Sequence, residues 1–146
     1  MKRFAWRLQR VLDIRKIQEQ KKRTELLELT GKLVSSRGEL LMRKKVLEDM
    51  IRNIAGKNPK QRLAEQEFFL AYSKTSDLQI KKLKEKINEL EIQQKEKIAE
   101  VIKIKRYREG MEKLRTEAKM KYIKEQEKID QKELDERASV SFVLNS

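Results

Sequence analysis

Hydrophobic residues recur every seven positions through the first third of the chain. The main series is Leu12, Leu26, Leu33, Leu40, Leu47 and Ile54, with Glu19 in place of an apolar residue. A second apolar series beside it consists of Leu27, Val34 and Leu41, followed by Met50 and Ile51. A straight α-helix drifts relative to a seven-residue repeat, so this pattern predicts a long helix that supercoils left-handedly with a partner helix.

The second part of the chain has its own heptad pattern. One position is occupied by Leu83, Leu90, Ile104, Met111 and Ala118, with Lys97 interrupting. The other is occupied by Ile80, Ile87, Val101, Tyr122 and Ile129, with Gln94, Arg108 and Arg115 interrupting. The basic interruptions have two interpretations: their aliphatic stems lie along the core while the charges reach water, or they mark where the partner helix ends.

Gly56 and Pro59 divide the two heptad regions. Gly is favoured just past a helix end and Pro cannot continue a helix, so this is the strongest turn signal in the chain. We predict helix 1 over about 4–55, a turn at about 56–60, helix 2 over about 61–138 and a frayed tail at 139–146. Folding about residue 58 brings the N-terminus near residue 111 and leaves residues 112–138 as an overhang.

Composition supports this all-α fold class. Charged residues make up 42% of the 146 residues and hydrophobic residues 38%, whereas an ordinary domain is about 25% charged and about 45–50% apolar. Such a chain cannot bury a core of the usual size. Although the composition permits disorder, strong helix formers dominate it. We therefore expect one domain, in which two long helices form an antiparallel coiled-coil hairpin with the second helix longer than the first. The alternative is a parallel dimer of long helices; we expect a monomer.

The residue types present give little support to catalysis. The chain has no Cys and no His, which removes thiol nucleophiles, imidazole metal sites and the most common general base. Its carboxylates lie three or four residues from Lys or Arg, as on ordinary helix surfaces. We expect no enzyme activity, no cofactor and no metal site. The longest apolar run, residues 68–72, is too short to span a membrane, and the basic N-terminus is unlike a signal peptide, so we expect a cytoplasmic protein.

Positive charge is concentrated near the N-terminus. Residues 1–23 hold 9 basic and 2 acidic residues, a net charge of +7 out of +13 for the chain. A solvated helix face, an acidic protein partner, nucleic acid and a membrane surface are all possible explanations. No known nucleic-acid-binding motif is present, and acidic residues alternate with basic ones after residue 24; we expect no nucleic-acid partner.

A cluster of aromatic residues follows the turn. Phe68 and Tyr72 lie four residues apart on one helical face, and Phe69 lies in register with the series of Leu83. At least one of the three is expected to cap the core. Since a thin hairpin cannot cover all of them, an exposed aromatic residue here is a candidate binding anchor.

Three segments together resemble the flagellar FliJ family. The start reads Phe4-x-Trp6-x-Leu8-x-x-Val11-Leu12-x-x-Arg15, and residues 124–136 read KEQEKIDQKELDE. Between them lie the turn, the aromatic cluster and a long second helix that contains Tyr107-Arg108-Glu109. The resemblance covers essentially the whole chain.

The resemblance implies an antiparallel helical hairpin similar to the stalk of rotary ATPases. It implies three partners: the hexameric flagellar export ATPase, the membrane-embedded export gate and export chaperones. The protein would be a component of flagellum biogenesis and motility, held peripherally at the cytoplasmic face of the inner membrane. By analogy, Arg7, Arg10, Arg15 and Lys16 would face the ATPase ring, and Phe68, Phe69 and Tyr72 would contact the gate.

Other functions fit the same shape. The equivalent stalk protein of a virulence type III secretion system is one, and a basic coiled-coil adaptor that binds nucleic acid or acts as a structural spacer is another.

Overall fold

The computed structural model describes residues 2–145 and contains two helices in that part of the chain. Helix α1 spans Gln9–Ala55 (47 residues) and helix α2 spans Pro59–Asn145 (87 residues). No strand occurs among the described residues. Extensive packing between the helices gives an antiparallel helical hairpin, which confirms the predicted fold class and the greater length of the second helix.

The helix ends differ from the predicted limits. Helix α1 begins at Gln9 rather than near residue 4, because residues 2–8 pack on α2 in a non-helical conformation. Helix α2 begins at Pro59, since Pro is well suited to a first helical position where no N–H bond is needed. The segment predicted to fray after residue 138 is helical to Asn145; Ser146 lies outside the described residues.

The turn is held by short-range hydrogen bonds. The backbone N–H of Lys57 donates to the carbonyl of Ile54 (3.3 Å), and that of Arg62 donates to the carbonyl of Asn58 (2.8 Å). The Arg62 guanidinium also donates to the carbonyl of Lys57 (3.0 Å). Gly56 does not have a positive φ angle, so the turn forms without the left-handed conformation common at helix ends.

One compact unit comprises residues 21–101. Its core is a buried cluster against which Leu29 and Leu40 pack, formed by Leu33, Leu83, Ile87 and Leu90. Polar contacts border this cluster: the Gln94 side-chain amide donates to the Thr30 hydroxyl (3.2 Å). Folding symmetrically about residue 58 would pair Thr30 with residue 86 instead. The pairing is displaced because residues 59–64, the first turns of α2, are all exposed and precede the packed region.

The second compact unit comprises residues 2–20 and 102–145 of the described chain. Leu12 and Met111 are its buried apolar residues. The prediction that residues from 112 onward lack a partner is wrong for the first part of that stretch. The Arg115 Nε donates to the Gln9 side chain (2.7 Å), and the Tyr122 hydroxyl donates to the carbonyl of Lys2. Residues 131–145 are exposed throughout.

The second apolar series of α1 was assigned to the wrong face. Leu27, Val34 and Leu41 are exposed, although the main series containing Leu12 and Leu33 is buried or half-buried as predicted. The other inward position of α1 is instead occupied mainly by polar residues: Arg15, Lys22, Leu29, Ser36, Arg43 and Met50. Long basic side chains can line an interface with their aliphatic stems while their charges reach polar partners.

Candidate functional site

The N-terminal segment, residues 2–8, lies along α2. The Phe4 and Tyr122 rings have centroids 5.5 Å apart and are tilted by 52°. The Arg115 guanidinium carbon lies 5.6 Å from the centroid of the Phe4 ring, within the range of a cation–π contact. Trp6 is half-buried, and its carbonyl accepts a hydrogen bond from the backbone N–H of Gln9 (3.1 Å). Aromatic packing and backbone hydrogen bonds therefore position the basic N-terminal segment.

The four residues predicted to face the ATPase ring fall into two groups. Arg7 and Arg10 are exposed, and neither has a hydrogen bond or ion pair within residues 2–145. Arg15 is half-buried, with its guanidinium carbon 4.6 Å from the Tyr107 ring centroid. The Lys16 ammonium lies 3.8 Å from a Glu112 carboxylate oxygen. Arg7 and Arg10 thus have free charges, whereas Arg15 and Lys16 contact α2.

A second basic stretch was missed by the sequence analysis. Residues 113–124 hold 5 basic residues and 1 acidic residue, a net charge of +4. Residues 2–10 hold 4 basic and no acidic residues, also a net +4. The contacts of Tyr122 and Arg115 bring the two stretches together. We call residues 2–10 and 113–124 the basic end. The charge count over residues 1–23 could not reveal the basic end, because half of this surface lies on α2 and meets the N-terminal segment only once the two helices pair.

The basic residues that interrupt the heptads of α2 each have a partner on α1. In the unit of residues 21–101, the Lys97 ammonium donates to the Glu25 carboxylate (2.8 Å). In the other unit, the Arg108 guanidinium donates to the buried carboxylate of Glu19 and to that of Glu112 (3.0 Å). Both proposed explanations of these interruptions were therefore incomplete, since a carboxylate on α1 receives the charge of Lys97 and of Arg108, and the side-chain amide oxygen of Gln9 receives that of Arg115.

These pairs shift the ionisation of their members. The hydrogen bond from Lys97 lowers the pKa of Glu25 below its ordinary value. The hydrogen bond to Glu25, followed by one to Glu100, raises the pKa of Lys97. The pKa of Glu100 is lowered, first by Lys22 and then by Lys97. The bond to Glu19 raises the pKa of Arg108. Each shift favours the charged form, so the groups bind one another and are not poised for proton transfer at neutral pH.

The aromatic cluster is divided between the core and the surface. Phe69 is half-buried. Phe68 is 63% exposed and Tyr72 39% exposed. Their rings stack on each other with centroids 6.3 Å apart and an interplanar angle of 16°. The structure therefore brings Phe68 and Tyr72 together as an exposed aromatic pair, whereas Phe69 is more buried than either.

Comparison with protein families gives one result for the whole chain. The family model described as flagellar FliJ protein matches residues 4–146. The chain belongs to the FliJ family. The resemblance seen in the sequence is thereby confirmed. No curated protein and no solved structure matches the chain.

Membership in the FliJ family makes the protein a component of the flagellar type III export apparatus. Proteins of this family are non-catalytic parts of that apparatus and associate with its other components. Within residues 2–145, neither helix has a stretch long and apolar enough to cross a lipid bilayer.

Proposed function

We propose that this FliJ-family chain is a non-enzymatic stalk that binds the hexameric flagellar export ATPase through its basic end. The main observation in support is that Arg7 and Arg10 are exposed and form no hydrogen bond or ion pair within residues 2–145. They belong to a segment that lies against the second basic stretch, residues 113–124 of α2. Free guanidinium groups can form bidentate hydrogen bonds with carboxylates of a partner without first breaking an internal pair. Hydrolysis belongs to the ATPase, and the stalk favours its assembled state by binding it preferentially.

The other two predicted residues have a different part in this proposal. Arg15 and Lys16 contact Tyr107 and Glu112, so they hold the beginning of α1 against α2. They present the free cations at a fixed position, which reduces the conformational entropy lost on binding.

Phe68, Phe69 and Tyr72 are the proposed contact with the export gate. Support comes from the exposure and mutual stacking of Phe68 and Tyr72. A preformed aromatic pair offers a large contact area with little side-chain entropy to lose. The stalk would thereby couple the ATPase to the gate at the cytoplasmic face of the inner membrane, where export chaperones would also bind it.

The decisive experiment adds the purified chain to the export ATPase of the same organism and measures hexamerisation and hydrolysis. The Arg7→Glu/Arg10→Glu variant should lose the stimulation given by the wild-type chain. A matched control is Lys81→Glu/Lys84→Glu, which reverses two exposed cations that are also three residues apart. Equal stimulation by wild type and the Arg7/Arg10 variant would refute the assignment. Binding of generic DNA at physiological salt, with a steep salt dependence, would favour the nucleic-acid alternative.

The gate contact is tested separately by binding to the cytoplasmic part of the gate protein. Phe68→Ala/Tyr72→Ala should weaken that binding at least about tenfold, as truncation of central aromatic anchors does. Leu63→Ala is the control, because Leu63 has the same 63% exposure as Phe68 on the same helix. Unchanged affinity of the double variant would remove the gate assignment and leave the ATPase assignment intact.

A further inference from the structure

The tip of the hairpin carries positive charge and no negative charge. We call residues 50–64 the tip; they comprise the end of α1, the turn and the beginning of α2. The tip contains Arg52, Lys57, Lys60 and Arg62 and no Asp or Glu, a net charge of +4. It is the longest stretch of the chain without an acidic residue, although the chain holds 24 of them. No carboxylate within the tip therefore offsets its positive potential.

Most of these charges are available to an external anion. Arg52 and Lys60 are exposed and form no hydrogen bond or ion pair within the described chain. The Arg62 guanidinium donates to the backbone carbonyl of Lys57 (3.0 Å), which leaves its charge without a counterion. Of the four cations, Lys57 alone has an acidic partner among the described residues, the Glu65 carboxylate. Three positive charges are therefore not neutralised by an ion pair.

Exposed apolar side chains lie directly beside these cations in the sequence. Ile51, which precedes Arg52, is 54% exposed, and Leu63, which follows Arg62, is 63% exposed. No residue of the tip is buried, and most of them are exposed. The tip thus combines unpaired cations with aliphatic side chains that its own packing does not cover.

We propose that the tip binds the surface of a lipid bilayer that contains anionic lipids. Cations are attracted to the negative headgroups, and apolar side chains enter the boundary between headgroups and acyl chains. Ile51 lies four residues before the end of α1, and Leu63 lies four residues after the start of α2. Each is therefore about 6 Å along its helix from the turn. A surface that the turn approaches is within reach of both side chains.

The charges and the apolar side chains together distinguish this partner from two others. The buried centre of a protein interface is depleted of charge, whereas Ile51 and Leu63 each have an Arg as neighbour. At a bilayer, the long stem of an Arg lets its charge stay among the headgroups while the apolar neighbour enters. Nucleic acid would use the cations and leave the aliphatic side chains in water, since residues 50–64 contain no aromatic residue on which a base could stack.

Binding of the purified full chain to vesicles tests the proposal, and its result is independent of the ATPase and gate proposals. Each cation close to an anionic surface strengthens binding about fivefold. Three available cations should therefore favour mixed phosphatidylcholine–phosphatidylglycerol vesicles over phosphatidylcholine vesicles by at least roughly a hundredfold in co-sedimentation. Added salt should weaken the binding. A wild-type chain that does not prefer the anionic vesicles would overturn the proposal.

Charge removal locates the contact. Arg52→Gln/Lys60→Gln should weaken binding to the anionic vesicles about 25-fold. The matched control is Lys81→Gln/Lys84→Gln, which removes the same charge from two exposed cations that also have no partner within residues 2–145. Arg7→Gln/Arg10→Gln removes it from the basic end. Both controls should retain nearly the wild-type affinity. A loss in either control as large as that in the tip variant would overturn the assignment to the tip.

Entry of the apolar side chains is tested at constant charge. Leu63→Gln should weaken binding to the anionic vesicles about tenfold, because a Leu side chain no longer leaves water. Leu78→Gln should have little effect; Leu78 lies on the same helix and is also 63% exposed. Since both residues are exposed, far-UV circular dichroism should show unchanged helix content in both variants. Equal affinity of the two variants would refute apolar insertion and overturn the proposed mode of binding.

Discussion

Replacing Arg108 by Leu should expose the energetic role of the polar pair between α1 and α2. The Glu19 side chain is 7% exposed and that of Arg108 20% exposed. Arg108→Leu would remove the Arg108 guanidinium from the buried Glu19 carboxylate. Removing one member of a fully buried pair costs about 3–5 kcal/mol, whereas exposed pairs contribute about 0.2–1 kcal/mol.

The structure places this pair between those limits. In a two-helix interface every buried side chain lies close to solvent, and part of the Arg108 side chain is exposed to it. We therefore expect Arg108→Leu to lower the free energy of unfolding by about 2 kcal/mol. At about 2–4 °C per kcal/mol for a chain of this size, the melting temperature should fall by roughly 6 °C.

Urea denaturation followed by circular dichroism at 222 nm measures this change. The double variant Glu19→Leu/Arg108→Leu should recover most of the loss, because an apolar pair needs no partner for a buried charge. The cycle is completed by Glu19→Leu alone, which leaves the Arg108 guanidinium with its existing hydrogen bond to Glu112 (3.0 Å). If Arg108→Leu were as stable as wild type, or if the two single losses simply added, the proposed coupling would be refuted.

Three further outcomes are expected. The hydrogen bond from Lys97 lowers the pKa of Glu25 in the folded state. The folded state is therefore stabilised above the unfolded-state pKa of Glu, about 4.3, and this stabilisation is lost as the pH falls through the lower folded-state pKa. The urea midpoint should therefore fall more steeply below about pH 4 in wild type than in Lys97→Met. Tyr122→Phe, which deletes the hydroxyl bound to the N-terminal segment, should shift the emission of the single tryptophan toward longer wavelength; unchanged emission would contradict that docking. Phe69→Ala should lower the urea midpoint more than Phe68→Ala, because Phe69 is half-buried and Phe68 exposed; equal midpoints would contradict this.

The sequence predicted the two helices, their turn and the buried series beginning at Leu12, because each depends on local pattern. It failed for Leu27, Val34 and Leu41, because heptad spacing shows that a face is apolar but not which helix covers it. Polar pairs across the interface were equally hidden, although Glu19 interrupted one series and basic residues interrupted the other. Identifying those partners requires the register of α1 against α2. The register predicted by folding symmetrically about residue 58 was wrong, since Thr30 lies beside Gln94 rather than residue 86.

The candidate site shows the same division. Arg7 and Arg10 were assigned a binding role by the family resemblance, which pointed to the basic N-terminal region, and both are exposed, as that role requires. The α2 half of the basic end was missed, since residues 113–124 were assigned to an unpartnered overhang. The contacts of Tyr122 with Lys2 and Phe4, and of Arg115 with Phe4 and Gln9, show that this stretch lies beside the N-terminal segment.

The polar contacts between the helices have a mechanical consequence. In the unit of residues 21–101, Lys97 binds Glu25, Gln94 binds Thr30 and Glu91 binds Arg37 (2.9 Å). Sliding α2 by one heptad would move Lys97 from Glu25 toward Lys32, which repels it, or in the other direction toward Gln18, which carries no charge. Purely apolar heptads would allow such slippage, because every step offers a similar surface. A helix pair restrained in this way can transmit a push or a twist along its length, because its two helices do not slide past each other.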